Sequence, residues 1–334
     1  MSNPIVHGGG LAAAAARYGG RIEDWLDLST GINPCPPDLP PIPSRAWHRL
    51  PDKELEADAR LAAQAFYRSG SRLPLPVPGT QSVIQILPRL VPADRPVAVV
   101  GPTYGEYQRV LALAGFEVRS VSSVGEIDDR HGLAVVVNPN NPDGRRHDRA
   151  ELLAAAERLS AAGGWLVVDE AFGDLKPAAS LAGDDVANLL VFRSFGKFFG
   201  MAGIRLGFVI AAEDVVERVA GWLGPWAVSG PALSLAAQLF RSDSAPISAV
   251  IAERSGALAR VLQGANLQVA GGAGLFMLVD HPNAATLHEH LCRAHILTRR
   301  FDYAPTWLRF GLAPDAAGDG RLANALSSWR MGDQ

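Results

Sequence analysis

Short apolar runs alternate with longer amphipathic stretches through the first two thirds of the chain. Residues 97–100, 133–137, 165–168, 189–192 and 206–210 are rich in Val, Leu, Ile and Phe and lack the polar alternation of a half-solvated strand. Such runs predict strands buried on both faces. Helical spacing appears between or beside them, over 81–90, 105–114 and 149–162. Strands alternating with helices predict a mainly parallel sheet, an α/β fold. The Ala-rich run at 12–16 reads as a short helix, and the proline-rich segment 34–43 as an extended arm. Beyond 213, helical stretches precede GLFMLVD at 274–280 and WLRFGL at 307–312, the pattern of a smaller α+β lobe. The expected division is an N-terminal arm (1–44) packing with the small domain, a large domain (45–212) and a small C-terminal domain (213–334).

At 334 residues the chain buries a large core, and two lobes of one enzyme are expected rather than two independent modules. Its 31 Lys and Arg against 34 Asp and Glu, with no basic run, argue against a nucleic-acid or anionic-membrane partner. The opening MSNPIVHGGG lacks a basic segment followed by an apolar one, and no stretch approaches the roughly 18 apolar residues of a membrane span. A cytoplasmic location is expected. Cys35 and Cys292 fit no metal-ligand spacing and are expected to be free thiols.

Candidate chemistry centres on SFGKFFGMAGIRLGF at 194–208. The ε-amine of Lys197 suits a Schiff base with a carbonyl compound. Ser194 offers a hydroxyl, and Arg205 a forked cation, to a phosphate. Phe192, Phe195, Phe198 and Phe199 suggest that the lysine is partly buried. Upstream, WLVVDEAF at 165–172 ends a buried strand on Asp169, a carboxylate suited to a pyridine nitrogen or to a helix cap. VVVNPNNPDG at 135–144 ends another strand on three Asn, which are donors to a phenolate oxygen or simply turn residues. Gly79, Thr80 and Gln81 open a helical pattern whose free N–H groups favour an anion. Tyr104, just past the strand at 97–100, has a ring suited to stacking on a flat cofactor or to filling the core.

Taken in order, GTQ (79–81), PTYGEY (102–107), NPNNPDG (138–144), DEAF (169–172) and SFGKFFGMAGIRLG (194–207) resemble the fold-type I pyridoxal phosphate enzymes, and within them the histidinol-phosphate aminotransferase group. The resemblance implies pyridoxal 5'-phosphate as cofactor and a homodimer. It also implies roles: Lys197 as the Schiff-base lysine, Asp169 at the pyridine nitrogen, Asn141 at the ring oxygen, Tyr104 stacked on the ring. Gly79, Thr80, Gln81, Ser194 and Arg205 would hold the phosphate.

One branch is more similar still, the threonine-phosphate decarboxylases of cobalamin biosynthesis. Phe172 stands where the aminotransferases have Tyr. HGGG at 7–10 and LDLSTGINPCPP at 26–37 resemble that branch's opening segments, and ILTRRF at 296–301 and WLRFGLAP at 307–314 its substrate-binding segments. Gly8, Gly9, Asn33, Arg299 and Arg309 are the implied substrate residues, for L-threonine O-3-phosphate. Read by itself, Arg309 in its apolar setting calls for an anion, either a ligand or a salt-bridge partner; Arg300 is expected to be solvated.

Three departures stand out. Asp143 occupies the Thr position of Asn-Pro-Thr-Gly, Phe172 removes a phenol from the ring oxygen, and Leu50 replaces the Tyr of a Tyr-Pro-Asp that reaches a neighbouring subunit's phosphate. Two other functions fit the sequence: a histidinol-phosphate-like aminotransferase and a non-catalytic ligand-binding protein on the same fold.

Overall fold

In the computed structural model, which describes residues 7–332, the five apolar runs are all strands of one seven-stranded sheet. The expectation for residues 1–6 falls outside those described. The order across the sheet is Leu75–Val77, Gly207–Ile210, Leu189–Ser194, Trp165–Asp169, Leu133–Val137, Val97–Val100, Val118–Val121. The last five are mutually parallel, whereas Gly207–Ile210 runs antiparallel to both of its neighbours. Leu133–Val137 is buried along its whole length, as a strand covered on both faces must be. Three of the parallel strands end on or just before Asn138, Asp169 and Ser194, so one edge of the sheet collects their polar ends.

The chain divides into two compact units. The larger comprises Pro37–Asn141 and Arg146–Ala245; the smaller takes the chain up to Pro36, Pro142–Arg145 and everything from Pro246. The small unit thus begins at 246 rather than 213, and the N-terminal arm stops at 36 rather than 44. Packing explains the difference. Helix Glu213–Leu223 buries Val215, Val216 and Val219 in the same core as Val97, Val135 and Phe192. Helix Gly230–Arg241, capped by Ser229, lies along helix Lys53–Tyr67, with Phe240 4.7 Å from Phe66 and 5.2 Å from Tyr67. Apolar burial, not the change in sequence texture, decides which unit owns these helices.

The smaller unit is built on a four-stranded antiparallel sheet ordered Arg299–Phe301, Ala304–Gly311, Phe276–Asp280, Val269–Gly272. A short parallel pair joins Leu26–Asp27 to Ile296–Leu297. Helix Ala284–Arg293 buries Leu287, Leu291 and Cys292. The proline-rich segment 34–43 contains no helix or strand, as expected. Both cysteines are free thiols. No helix among the described residues is long and apolar enough to cross a membrane.

Candidate active site

Asp169 closes its strand at the polar edge of the large sheet and is 4 % exposed. Its carboxylate accepts hydrogen bonds from the Tyr107 hydroxyl at 2.8 Å and from the Ala171 N–H at 2.9 Å. Burial raises its pKa; these two bonds and the charge of Lys197 oppose the rise. Lys197 sits in the single turn Phe195–Phe198 directly after the strand that ends at Ser194, and is half-buried. Its neighbours differ from those expected. Phe195, Phe198 and Phe199 turn into an aromatic cluster with Phe66, and Phe192 lies in the sheet core. The ring beneath the amine is that of Phe172, 5.4 Å from Nζ, within the range of a cation–π contact.

Gly79 precedes helix Thr80–Ile86 with φ +72°, and a Cβ there would lie 3.1 Å from the Arg205 guanidinium. That left-handed backbone and close approach favour glycine. The first N–H groups of the helix and the Arg205 side chain are therefore neighbours. Ser194 and Gly207 are cross-strand partners, so the segment carrying Lys197 and Arg205 is closed at its base.

Gln81 is differently employed than a phosphate ligand would be. Its side-chain oxygen accepts from the Tyr104 hydroxyl at 3.0 Å, and its amide donates to Glu106 at 3.0 Å; Glu106 in turn pairs with Arg109 at 2.6 Å. Its backbone N–H and the second hydrogen of its side-chain amide remain for an anion. Tyr107 and Glu106, which sequence reasoning did not single out, hold this corner together. The motif GEY contained both, and the three-residue spacing between Tyr104, just before helix Glu106–Leu113, and Tyr107, in its first turn, was the available signal.

All ten residues expected at a cofactor, Gly79, Thr80, Gln81, Tyr104, Asn141, Asp169, Phe172, Ser194, Lys197 and Arg205, line one cavity of about 180 Å³. Val137, Ala171, Gly196, Ala202 and Leu206 complete its wall. The donor set fits pyridoxal phosphate: an amine for an aldehyde, a buried acid for a ring nitrogen, an amide for a ring oxygen, and a hydroxyl, a guanidinium and a helix start for a phosphate. A larger cavity, about 350 Å³, has walls that are apolar or glycine apart from Glu56 and offers no such chemistry.

The five expected substrate residues lie in the smaller unit. Arg299 and Arg309 are cross-strand partners, Arg309 buried and Arg299 half-buried, while Arg300 is exposed. Burial, followed by the charge of Arg299, lowers the Arg309 pKa to about 10. Arg309 donates to the Ser29 carbonyl at 2.8 Å, and the Ser29 hydroxyl accepts from the Gly9 N–H at 2.7 Å. A Cβ on Gly8 would come within 2.4 Å of that same carbonyl oxygen. Asn33 bonds both ways with the Cys35 backbone, an Asx turn that shapes the loop.

Residues 41–326 match the family model for aminotransferase class I and II. The chain belongs to the class I and II aminotransferase family. Among members of this family, a threonine-phosphate decarboxylase from Sinorhizobium sp is 64 % identical over 99 % of this chain and 100 % of its own. A threonine-phosphate decarboxylase from Pseudomonas aeruginosa is 43 % identical over 98 % of each chain. The structure of histidinol-phosphate aminotransferase from Sinorhizobium meliloti, in complex with pyridoxal-5'-phosphate, superimposes with a TM-score of 0.79 at 20 % identity, covering 98 % of this chain and 96 % of that one. At that identity the likeness establishes the class I and II fold and no more.

Proposed function

We propose that this protein is a threonine-phosphate decarboxylase: a pyridoxal phosphate enzyme that converts L-threonine O-3-phosphate to (R)-1-amino-2-propanol O-2-phosphate and carbon dioxide. The observation that carries the reading is end-to-end identity of 64 % with a relative of that name, joined to a cavity whose walls bear the matching chemistry.

When bound, pyridoxal phosphate supplies a conjugated, electron-withdrawing ring that accepts the electron pair left at a substrate α-carbon. Lys197 would hold its aldehyde carbon, Asp169 a proton at its ring nitrogen, and Asn141 its ring oxygen. Tyr104 would lie against the ring. Ser194, Arg205 and the backbone N–H groups of Thr80 and Gln81 would bind its phosphate, with Gly79 leaving room for the guanidinium. Arg299 and Arg309 bind the substrate's carboxylate and phosphate, and Gly8 and Gly9 belong to the segment tied to Arg309 through Ser29. By fixing the carboxylate, the arginines select loss of carbon dioxide over removal of the α-hydrogen. The Nζ of Lys197 then delivers a proton to the α-carbon.

The product contains the aminopropanol phosphate linker of cobalamin, and the enzyme serves that biosynthesis in the cytoplasm. It works as a homodimer. The apolar side chains of Trp47, Leu50 and Trp226, each about 60 % exposed, support such an interface; Leu50 supplies apolar contact but no phosphate ligand.

The test is direct. Purified protein with pyridoxal phosphate and L-threonine O-3-phosphate should release carbon dioxide stoichiometrically with the amino alcohol phosphate. Transfer of the amino group to 2-oxoglutarate without carbon dioxide would overturn the assignment in favour of an aminotransferase. Full function retained in Lys197→Ala would overturn both.

A further inference from the structure

Tyr107 lines neither the cavity nor the surface, being 0 % exposed, yet its hydroxyl donates to the side chain of Asp169. A buried phenol is costly unless its hydroxyl is satisfied, and here the hydroxyl is spent on the one carboxylate at the polar edge of the sheet that lines the cavity. We propose that Tyr107 is a positioning residue of the active site: its phenol fixes the orientation and the negative charge of the Asp169 carboxylate, so that this carboxylate keeps a proton on the ring nitrogen of bound pyridoxal phosphate. The inference rests on the cofactor reading above and deepens it.

Three observations support the assignment. The bond is short and direct, 2.8 Å to Oδ2, while Oδ1 accepts from the Ala171 N–H; with a donor on each oxygen the carboxylate plane is set. Tyr107 is itself immobile, since its ring packs in the central core beside Leu111 and Val135, edge-on to Tyr104 at 6.3 Å. The same first turn carries Glu106, which holds Gln81 and through it Tyr104. One short helix start thus reaches both Asp169, which would meet the ring nitrogen, and, through Gln81, Tyr104, which would lie against the ring. The charged and titratable groups around Asp169 are Tyr107 from that helix, Lys197 from the turn after Ser194, and Glu170 beside it; burial and Glu170 disfavour its charge, and Tyr107, the Ala171 N–H and Lys197 favour it.

Tyr107→Phe removes the hydroxyl and nothing else. In the cofactor-free protein, carbon-13 NMR of labelled aspartate carboxyls should show the Asp169 titration moved upward by about one to two pH units. With pyridoxal phosphate bound, the nitrogen-15 shift of its ring nitrogen should move toward the unprotonated value, and kcat should fall roughly tenfold or more with KM nearly unchanged. Placing 3-fluorotyrosine at position 107 strengthens the donor and should move the Asp169 titration the other way, without any change of packing. An Asp169 titration unmoved by both substitutions overturns the proposal, as does an unmoved nitrogen-15 shift in Tyr107→Phe. Wild-type protein that acquires no visible absorbance with pyridoxal phosphate overturns the cofactor reading itself; the carbon-13 titration then reports on the Tyr107–Asp169 link separately.

Discussion

Arg299 and Arg309 face each other as direct partners across neighbouring antiparallel strands. Two guanidinium groups on one face of a sheet repel, at a cost of a few tenths of a kcal/mol to about 1 kcal/mol. Such a pair is expected to favour binding over stability. Arg299→Gln should therefore raise the melting temperature of the substrate-free enzyme slightly while raising KM for threonine phosphate about ten- to a hundredfold, the loss of one charge-assisted bond. Thermal melts and steady-state kinetics on the same preparation decide it; an unchanged KM refutes the substrate role.

Alanine at Gly79 would have to adopt φ +72° with its Cβ 3.1 Å from Arg205. We expect Gly79→Ala to cost about 1–3 kcal/mol in strain and to weaken cofactor binding at least tenfold in an absorbance titration. Gly203, beside which a Cβ meets nothing within 4 Å, serves as the control: Gly203→Ala should leave affinity where it was.

Arg193 is buried between Glu170 and Asp174, each at 2.5 Å, with the Tyr67 ring 4.6 Å away. Removing the cation leaves two buried acids facing each other. Arg193→Met should cost about 3–5 kcal/mol in urea unfolding, a loss that an exposed pair such as Arg241 and Asp58 would not show.

His288 is held neutral by burial, with its pKa lowered to about 4, and its Nδ1 lies 2.8 Å from the Thr298 hydroxyl. Because the folded-state value lies below the unfolded one, near 6.5, this histidine supports the fold above pH 6.5. That support drains away as the pH falls toward 4. His288→Gln should flatten the decline in unfolding free energy between pH 7 and 4, read from urea titrations, by an amount on the order of 2 kcal/mol. Parallel slopes for the two proteins would contradict the expectation.

The sheet was legible because a strand covered on both sides admits little but aliphatic residues, and Leu133–Val137 and Val97–Val100 declare that in their own letters. Lys197, Asp169 and Ser194 were legible for a related reason: each stands at or just past the end of such a run. Ownership of 213–245 was not, since Val216 and Phe240 look alike whichever core they join, and only the partners Phe66 and Val97 decide. Gln81 has a second use that was not legible either. An amide near a phosphate site and an amide tying Tyr104 to Glu106 are one letter in the sequence, and the difference lies in a helix that starts far downstream. Tyr107 is a core residue whose single polar atom reaches Asp169, and one letter in GEY does not show that reach.

The pairing of Ser194 with Gly207 makes residues 195–206 a closed ring of chain whose two anchors cannot drift apart. Slack is scarce in such a ring. One residue more or fewer would rotate Lys197 relative to Arg205 even if every side chain were kept, so the length of this segment is as much a part of the catalyst's specification as the lysine it carries.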